Sequence, residues 1–133
     1  MKEKGAKKKM LILLVDDEPD IISLYSAVLQ REGHDVITAE NGAEGVVMAK
    51  ERHPDLILLD LKMPVMDGVE TLAKLKEDPT TKDIKVVFLT AFGDPKHEID
   101  IDAKYAKEVG AVDFLKKGMQ LGEFLQELKK HIE

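Results

Sequence analysis

The stretch DLILLDLKMPVMDG, Asp55 to Gly68, holds four successive apolar residues, Leu56 to Leu59, that end on a carboxylate, Asp60. An unbroken apolar run of this length, bounded by turn residues, suits a strand covered on both faces. The Met, Pro and Gly that follow mark a turn. A charge at the rim of a core loses hydration unless something compensates it. Asp60 therefore predicts a buried strand and also a partner elsewhere in the chain.

Working outward from this strand, two periodicities alternate. Strand-like runs are Met10–Val15, Asp35–Ala39, Leu56–Leu59, Lys85–Thr90 and Val112–Lys116. Helix-like apolar stripes separate them: Ile21, Ile22, Tyr25, Val28 and Leu29; then Ala43, Val46, Val47 and Lys50; then Val69, Leu72, Ala73 and Leu75. A fourth helix is expected from Ile99 or Ile101 to Val109, and a fifth on Leu121, Phe124, Leu125, Leu128 and Ile132. Gly33, Gly42, Pro54, Pro79, Gly93 and Gly110 punctuate the segments. Five strand-then-helix units need right-handed crossovers, which predicts an α/β fold. The expected architecture is a flavodoxin-like, doubly wound, five-stranded parallel sheet of order 2-1-3-4-5 with five helices.

Composition agrees with one folded domain. The chain has 133 residues, 44% hydrophobic and 35% charged, with no cysteine, which excludes disulfides and thiolate metal sites. Its apolar runs are too short for a membrane span. The first ten residues hold five lysines and one glutamate, a net +4, so the rest carries −10 of the overall −6. An acidic body argues against direct DNA binding. Residues 1–9 are expected to be a disordered basic leader and 10–133 the folded domain. A cytoplasmic protein, monomeric or dimerising on modification, with no membrane contact, is the expectation.

The topology says where chemistry sits: beyond the carboxyl ends of the strands, where strand order reverses. Strand one ends at Asp16-Asp17-Glu18 and strand three at Asp60. An N-cap before Pro19 accounts for one carboxylate. It does not account for convergence with Asp60, because carboxylates at one rim raise one another's pKa unless a cation neutralises them. Hard oxygen donors suit Mg²⁺. Strand four ends in Thr90, a hydroxyl donor, and strand five in Lys116-Lys117, of which alternation lets only one point inward. Acids, a hydroxyl and an ammonium on one rim suit phosphoryl transfer to a carboxylate.

Four pieces, LLVDDEPDI at Leu13–Ile21, DLILLDLKMPVMDG at Asp55–Gly68, VVFLTA at Val86–Ala91 and GAVDFLKK at Gly110–Lys117, resemble the receiver domains of two-component response regulators, including the chemotaxis-regulator type. The resemblance implies that Asp60 is the phosphoacceptor and that Asp16 and Asp17 hold Mg²⁺ together with Asp60 and the backbone carbonyl of Lys62. It implies that Thr90 follows the phosphoryl group, that Phe114 is the aromatic switch residue, and that Pro64 and Gly68 shape the loop. The family's lysine lies three residues after the aromatic and seven after the glycine of the Gly-Ala turn, which selects Lys117 over Lys116. Family members take phosphate from a sensor histidine kinase or a histidine phosphotransfer protein, hydrolyse it slowly, and signal to a downstream protein target.

Two departures stand out. Gly118 follows Lys117 where the family usually has Pro, so a trans bond or a rearranged loop is expected. The segment Thr90–Gly110 is several residues longer than usual. The chain looks like a stand-alone receiver or a domain of a longer regulator. Two rival readings are an aspartate-nucleophile phosphohydrolase, which needs a second Asp where Lys62 stands, and a degenerate receiver used only for binding. A flavin carrier is disfavoured by the carboxylates at the rim, and a P-loop nucleotidase by the absence of its motif. The four histidines, 34, 53, 97 and 131, show no ligand spacing and are expected at the surface.

Overall fold

The computed structural model describes residues 9–63, 66–91 and 107–132. Its strands are β1 (Leu11–Val15), β2 (Asp35–Ala39), β3 (Leu56–Leu59), β4 (Lys85–Ala91) and β5 (Asp113–Lys117). They form one parallel sheet of order β2-β1-β3-β4-β5. Strand reversal between β1 and β3 is therefore as the periodicity predicts. The fifth strand starts and ends one residue later than read, so Lys117 is a strand residue, paired with Ala91.

Among the described residues there are four helices: α1 (Pro19–Arg31), α2 (Gly42–Arg52), α3 (Gly68–Glu77) and the C-terminal helix (Leu121–Ile132). The expected helix ending at Val109 lies mostly outside the described residues, as do Pro64 and His97; Lys107 and Glu108 are helical. Asn41 and Asp67 cap α2 and α3 by accepting from the N–H groups of Glu44 and Glu70, three residues on.

Period-two alternation splits the core into two halves. On one side of the sheet, Ile12, Leu14, Leu56, Leu58, Val87, Leu89 and Leu115 pack against α1 and the C-terminal helix through Tyr25, Leu29, Phe124 and Leu128. The Tyr25 and Phe124 rings meet edge to face at 4.8 Å. On the other side, Leu13, Val15, Ile57, Leu59, Val86 and Phe88 pack against α2 and α3 through Ala49, Leu72 and Leu75.

Three expectations are corrected. Of the stripe expected on Ala43, Val46, Val47 and Lys50 of α2, only Val46 is partly buried; Val47 is 51% exposed, and the buried face is Gly42, Gly45 and Ala49. Small residues let α2 lie close to the sheet: a Cβ on Gly45 would meet Val15 Cγ2 at 3.0 Å. On α3 the buried partner of Leu72 and Leu75 is Thr71, while Ala73 faces solvent. His34 is buried, its Nδ1 accepting from the Met10 N–H at 3.1 Å. His131, on the C-terminal helix, meets Asp113 Oδ2 at 2.9 Å, and its carbonyl accepts from Lys85 Nζ at 3.0 Å, fastening that helix to the foot of β4 and β5.

Candidate functional site

At the carboxyl rim the sheet's rows continue into polar side chains. Asp16 extends the row of Ile12 and Leu14, Asp60 that of Leu56 and Leu58, and Lys117 that of Leu115, so all three belong to the α1 side. Thr90 extends the row of Val86 and Phe88, and Phe114 is partly buried in the same half-core, so these two share the opposite side. Backbone bonds hold the acids in place. The Asp60 N–H donates to the Val15 carbonyl at 2.9 Å and the Asp16 N–H to the Ala39 carbonyl at 3.1 Å, each extending the parallel ladder by a residue.

The acids do not serve as side-chain caps of α1. Its N-cap is Glu18, which makes no side-chain capping bond. Asp16 Oδ1 instead accepts from the Glu18 N–H at 2.9 Å, closing a local turn that fixes the carboxylate. Asp16 is 0% and Asp60 3% exposed, whereas Asp17 is open to solvent. Carboxylate oxygens of Asp16, Asp17 and Asp60 lie within 4.8 Å of one another. Such a set of hard donors, one reachable from solvent, fits a divalent cation.

Lys117 is the third side of the cluster. Its ammonium lies 2.8 Å from Asp16 Oδ2, 2.9 Å from Glu18 Oε1 and 3.4 Å from Asp60 Oδ2. The Asp16 contact is an ion pair without aligned hydrogen-bond geometry, since Oδ2 has no donor meeting that geometry. Lys116 is exposed, so of the two lysines it is Lys117 that enters the cluster. Gly118 follows with φ +90°, and there is no cis bond among the described residues. Proline, confined near −65°, cannot take that conformation, so a glycine exit replaces the usual Lys-Pro turn.

Burial pushes the Asp60 carboxyl up to about 7, reinforced by the Asp16 charge and opposed by Lys117 and the Lys62 N–H. Burial raises Asp16 too, against the pull of Lys117 and the Glu18 N–H. For Lys117, burial acts to lower the ammonium's pKa, but its contacts with Asp16 and Glu18 and the charge of Asp60 outweigh it and the net direction is upward. Among the described residues, two buried acids, Asp16 and Asp60, and the exposed Glu18 share the Lys117 ammonium, which leaves the rim short of positive charge.

Described residues on either end of the β3–α3 connection lie close to Asp60. The Lys62 N–H approaches Asp60 Oδ1 at 3.3 Å, and the Gly68 N–H donates to the Leu61 carbonyl at 2.8 Å. A Cβ on Gly68 would run into the Asp60 carbonyl oxygen, which is why a glycine opens α3. Sequence reasoning placed Glu18 beside the site but did not give it a contact. The link to Lys117 spans 99 residues and depends on side-chain reach, for which no local signal exists.

A sequence model of the response regulator receiver domain matches residues 12–129. The chain belongs to that family. This receiver domain is 36% identical to protein PilH of Pseudomonas aeruginosa over 80% of its own length and 84% of that protein. It is 35% identical to sporulation initiation phosphotransferase F of Bacillus subtilis over 91% and 92% of the two chains. The chemotaxis response regulator CheY4 of Vibrio cholerae superposes with a TM-score of 0.80 at 29% identity, covering 93% and 99%. Other relatives are longer: the chain spans 47% and 49% of two transcriptional regulators it matches. Among the described residues no helix is long and apolar enough to cross a membrane.

Proposed function

We propose that this receiver domain is a phosphoacceptor of a two-component phosphorelay, taking a phosphoryl group on Asp60 from a phosphohistidine. The observation that carries the reading is the position of Asp60: a buried carboxylate held between two further acids and the Lys117 ammonium. An Asp60 oxygen forms the new O–P bond as the P–N bond to the donor imidazole breaks. The electron pair stays on the departing nitrogen, which takes a proton. Lys117 offsets charge on the phosphoryl oxygens, and rigid anchoring of Asp60 to the Val15 carbonyl holds the nucleophile in line.

Asp16, Asp17, Asp60 and the Lys62 backbone carbonyl would hold Mg²⁺, which supplies Lewis-acid neutralisation of the phosphoryl oxygens. Asp60 must be ionised to attack, and added positive charge at the acid cluster favours that state. Thr90, at the rim of β4, would donate to a phosphoryl oxygen by reaching over the sheet edge, and Phe114 packs in the half-core on the Thr90 side, so Thr90 movement would reach the aromatic ring through packing. The donor is a sensor histidine kinase or a histidine phosphotransfer protein in the cytoplasm. Output is altered binding to a protein target, and slow self-hydrolysis resets the mark, so the domain is a switch rather than a multiple-turnover enzyme.

Intact-mass measurement after incubation with acetyl phosphate and Mg²⁺ tests this. One phosphate adduct, lost in Asp60→Asn and in chelator, supports it. No adduct under conditions that label an established receiver overturns it.

A further inference from the structure

The Glu18 N–H donates to Asp16 Oδ1, while its side chain turns to the lysine: Oε1 lies 2.9 Å from Lys117 Nζ, nearer than Asp60 Oδ2 at 3.4 Å. Asp16 and Asp60 are among the cation-competent carboxylates; Glu18 is not. A divalent ion in that cluster would relieve Asp16 and Asp60 of their need for the ammonium. Glu18 would then be the remaining anion holding Lys117 on the β1 side. We propose that Glu18 is a positioning residue that tethers the Lys117 ammonium and slows its transfer to a phosphoryl group on Asp60. This rests on the phosphoacceptor reading above.

The size of the effect follows from exposure. The Glu18 side chain is 58% exposed and the lysine's 8%. A pair with one wet partner is screened, which sets the expected change at about two- to fivefold in rate, shrinking with added salt. Glu18→Gln keeps the side chain's length and an acceptor oxygen while removing the charge. A general loss of negative charge would also speed attack on an anionic donor, so the effect has to be shown to pass through Lys117.

The test is a double-mutant cycle on labelling by acetyl phosphate with Mg²⁺, comparing wild type, Glu18→Gln, Lys117→Met and the double variant. It is paired with NMR of the Lys117 ammonium in unphosphorylated, metal-free protein. The expected results are faster labelling in Glu18→Gln, no gain from the same change in the Lys117→Met background, and faster exchange of the Lys117 ammonium protons. An equal gain in both backgrounds, no gain in either, or unchanged ammonium exchange overturns the tether. Wild type that labels without dependence on Glu18 overturns this inference alone. Wild type that does not label overturns the phosphoacceptor reading and this one with it.

Discussion

Gly68 sits directly against the backbone of Asp60: a side-chain carbon on Gly68 would strike the Asp60 carbonyl oxygen and come within 2.8 Å of Leu61 Cα. The first turn of α3 is thereby seated on the peptide that carries the candidate phosphoacceptor. Backbone atoms cannot yield as a flexible side chain does, so relief requires the loop or the helix to move.

Gly68→Ala is therefore expected to destabilise the fold by about 1–3 kcal/mol, the usual range for overpacking. It should also slow acetyl-phosphate labelling, because the displaced element is the one aligning Asp60. Urea denaturation and a labelling time course check both effects. Gly122→Ala is the control, since a Cβ there meets nothing within 4 Å.

The acid cluster predicts an unusual pH dependence in chelator. Asp60 titrates near 7 in the folded protein against 3.8 as its ordinary value. Between these limits the folded state holds a proton that the unfolded state has lost. Stability must then fall as pH rises from about 4 to about 7. At roughly 1.4 kcal/mol per pH unit, the loss is on the order of a few kcal/mol. Asp16 shifts in the same direction and adds to it. Asp60→Asn should flatten much of this slope and be more stable than wild type at pH 7.5, which melting curves across pH will show. Equal slopes in both proteins would contradict the burial argument.

Mg²⁺ should raise stability by binding the folded state alone, by about 2.7 kcal/mol at a concentration 100 times its Kd. Asp17 is exposed and has no role in the core. Asp17→Asn should accordingly keep the metal-free melting temperature while losing most of the Mg²⁺-dependent rise. A variant that responds to Mg²⁺ like wild type would remove Asp17 from the proposed ligand set.

Lys117→Met strips the buried acids of their cation. Removing one partner of a buried ion pair costs about 3–5 kcal/mol, and the penalty should be greatest above pH 7, where Asp60 is ionised. Because the lost ammonium also repels a metal ion, Mg²⁺ should stabilise this variant more than wild type. Calorimetry with and without Mg²⁺ decides between that result and a plain packing defect, which metal would not rescue.

The sheet was legible because its signal is large: apolar runs such as Leu56–Leu59 can be buried on two faces in few other ways. The rim acids were legible for the same reason, since Asp16 and Asp60 each interrupt such a run. The α2 face was not, because its buried residues are Gly42, Gly45 and Ala49, and Gly45 comes close to Val15 through lacking bulk. A hydrophobicity pattern favours Val47, which faces water. The burial of His34 was also hidden, since no local pattern announces the bond that its ring accepts from the backbone of Met10. The one-residue shift of β5 matters more than its size suggests, for it makes Lys117 the strand's last paired residue.

The division of the sheet into two sides has a consequence for any signal that starts at Asp60. Asp16, Asp60 and Lys117 lie in one compartment, and Thr90 and Phe114 in the other. Between them stands a wall one strand thick, filled by residues such as Leu58, Leu59, Phe88 and Leu89 that have no exposed surface. Nothing of atomic size passes through such a wall. A side chain that moves in response to the near side can reach the far side only over the top edge of the sheet, and β4 meets that edge at Thr90.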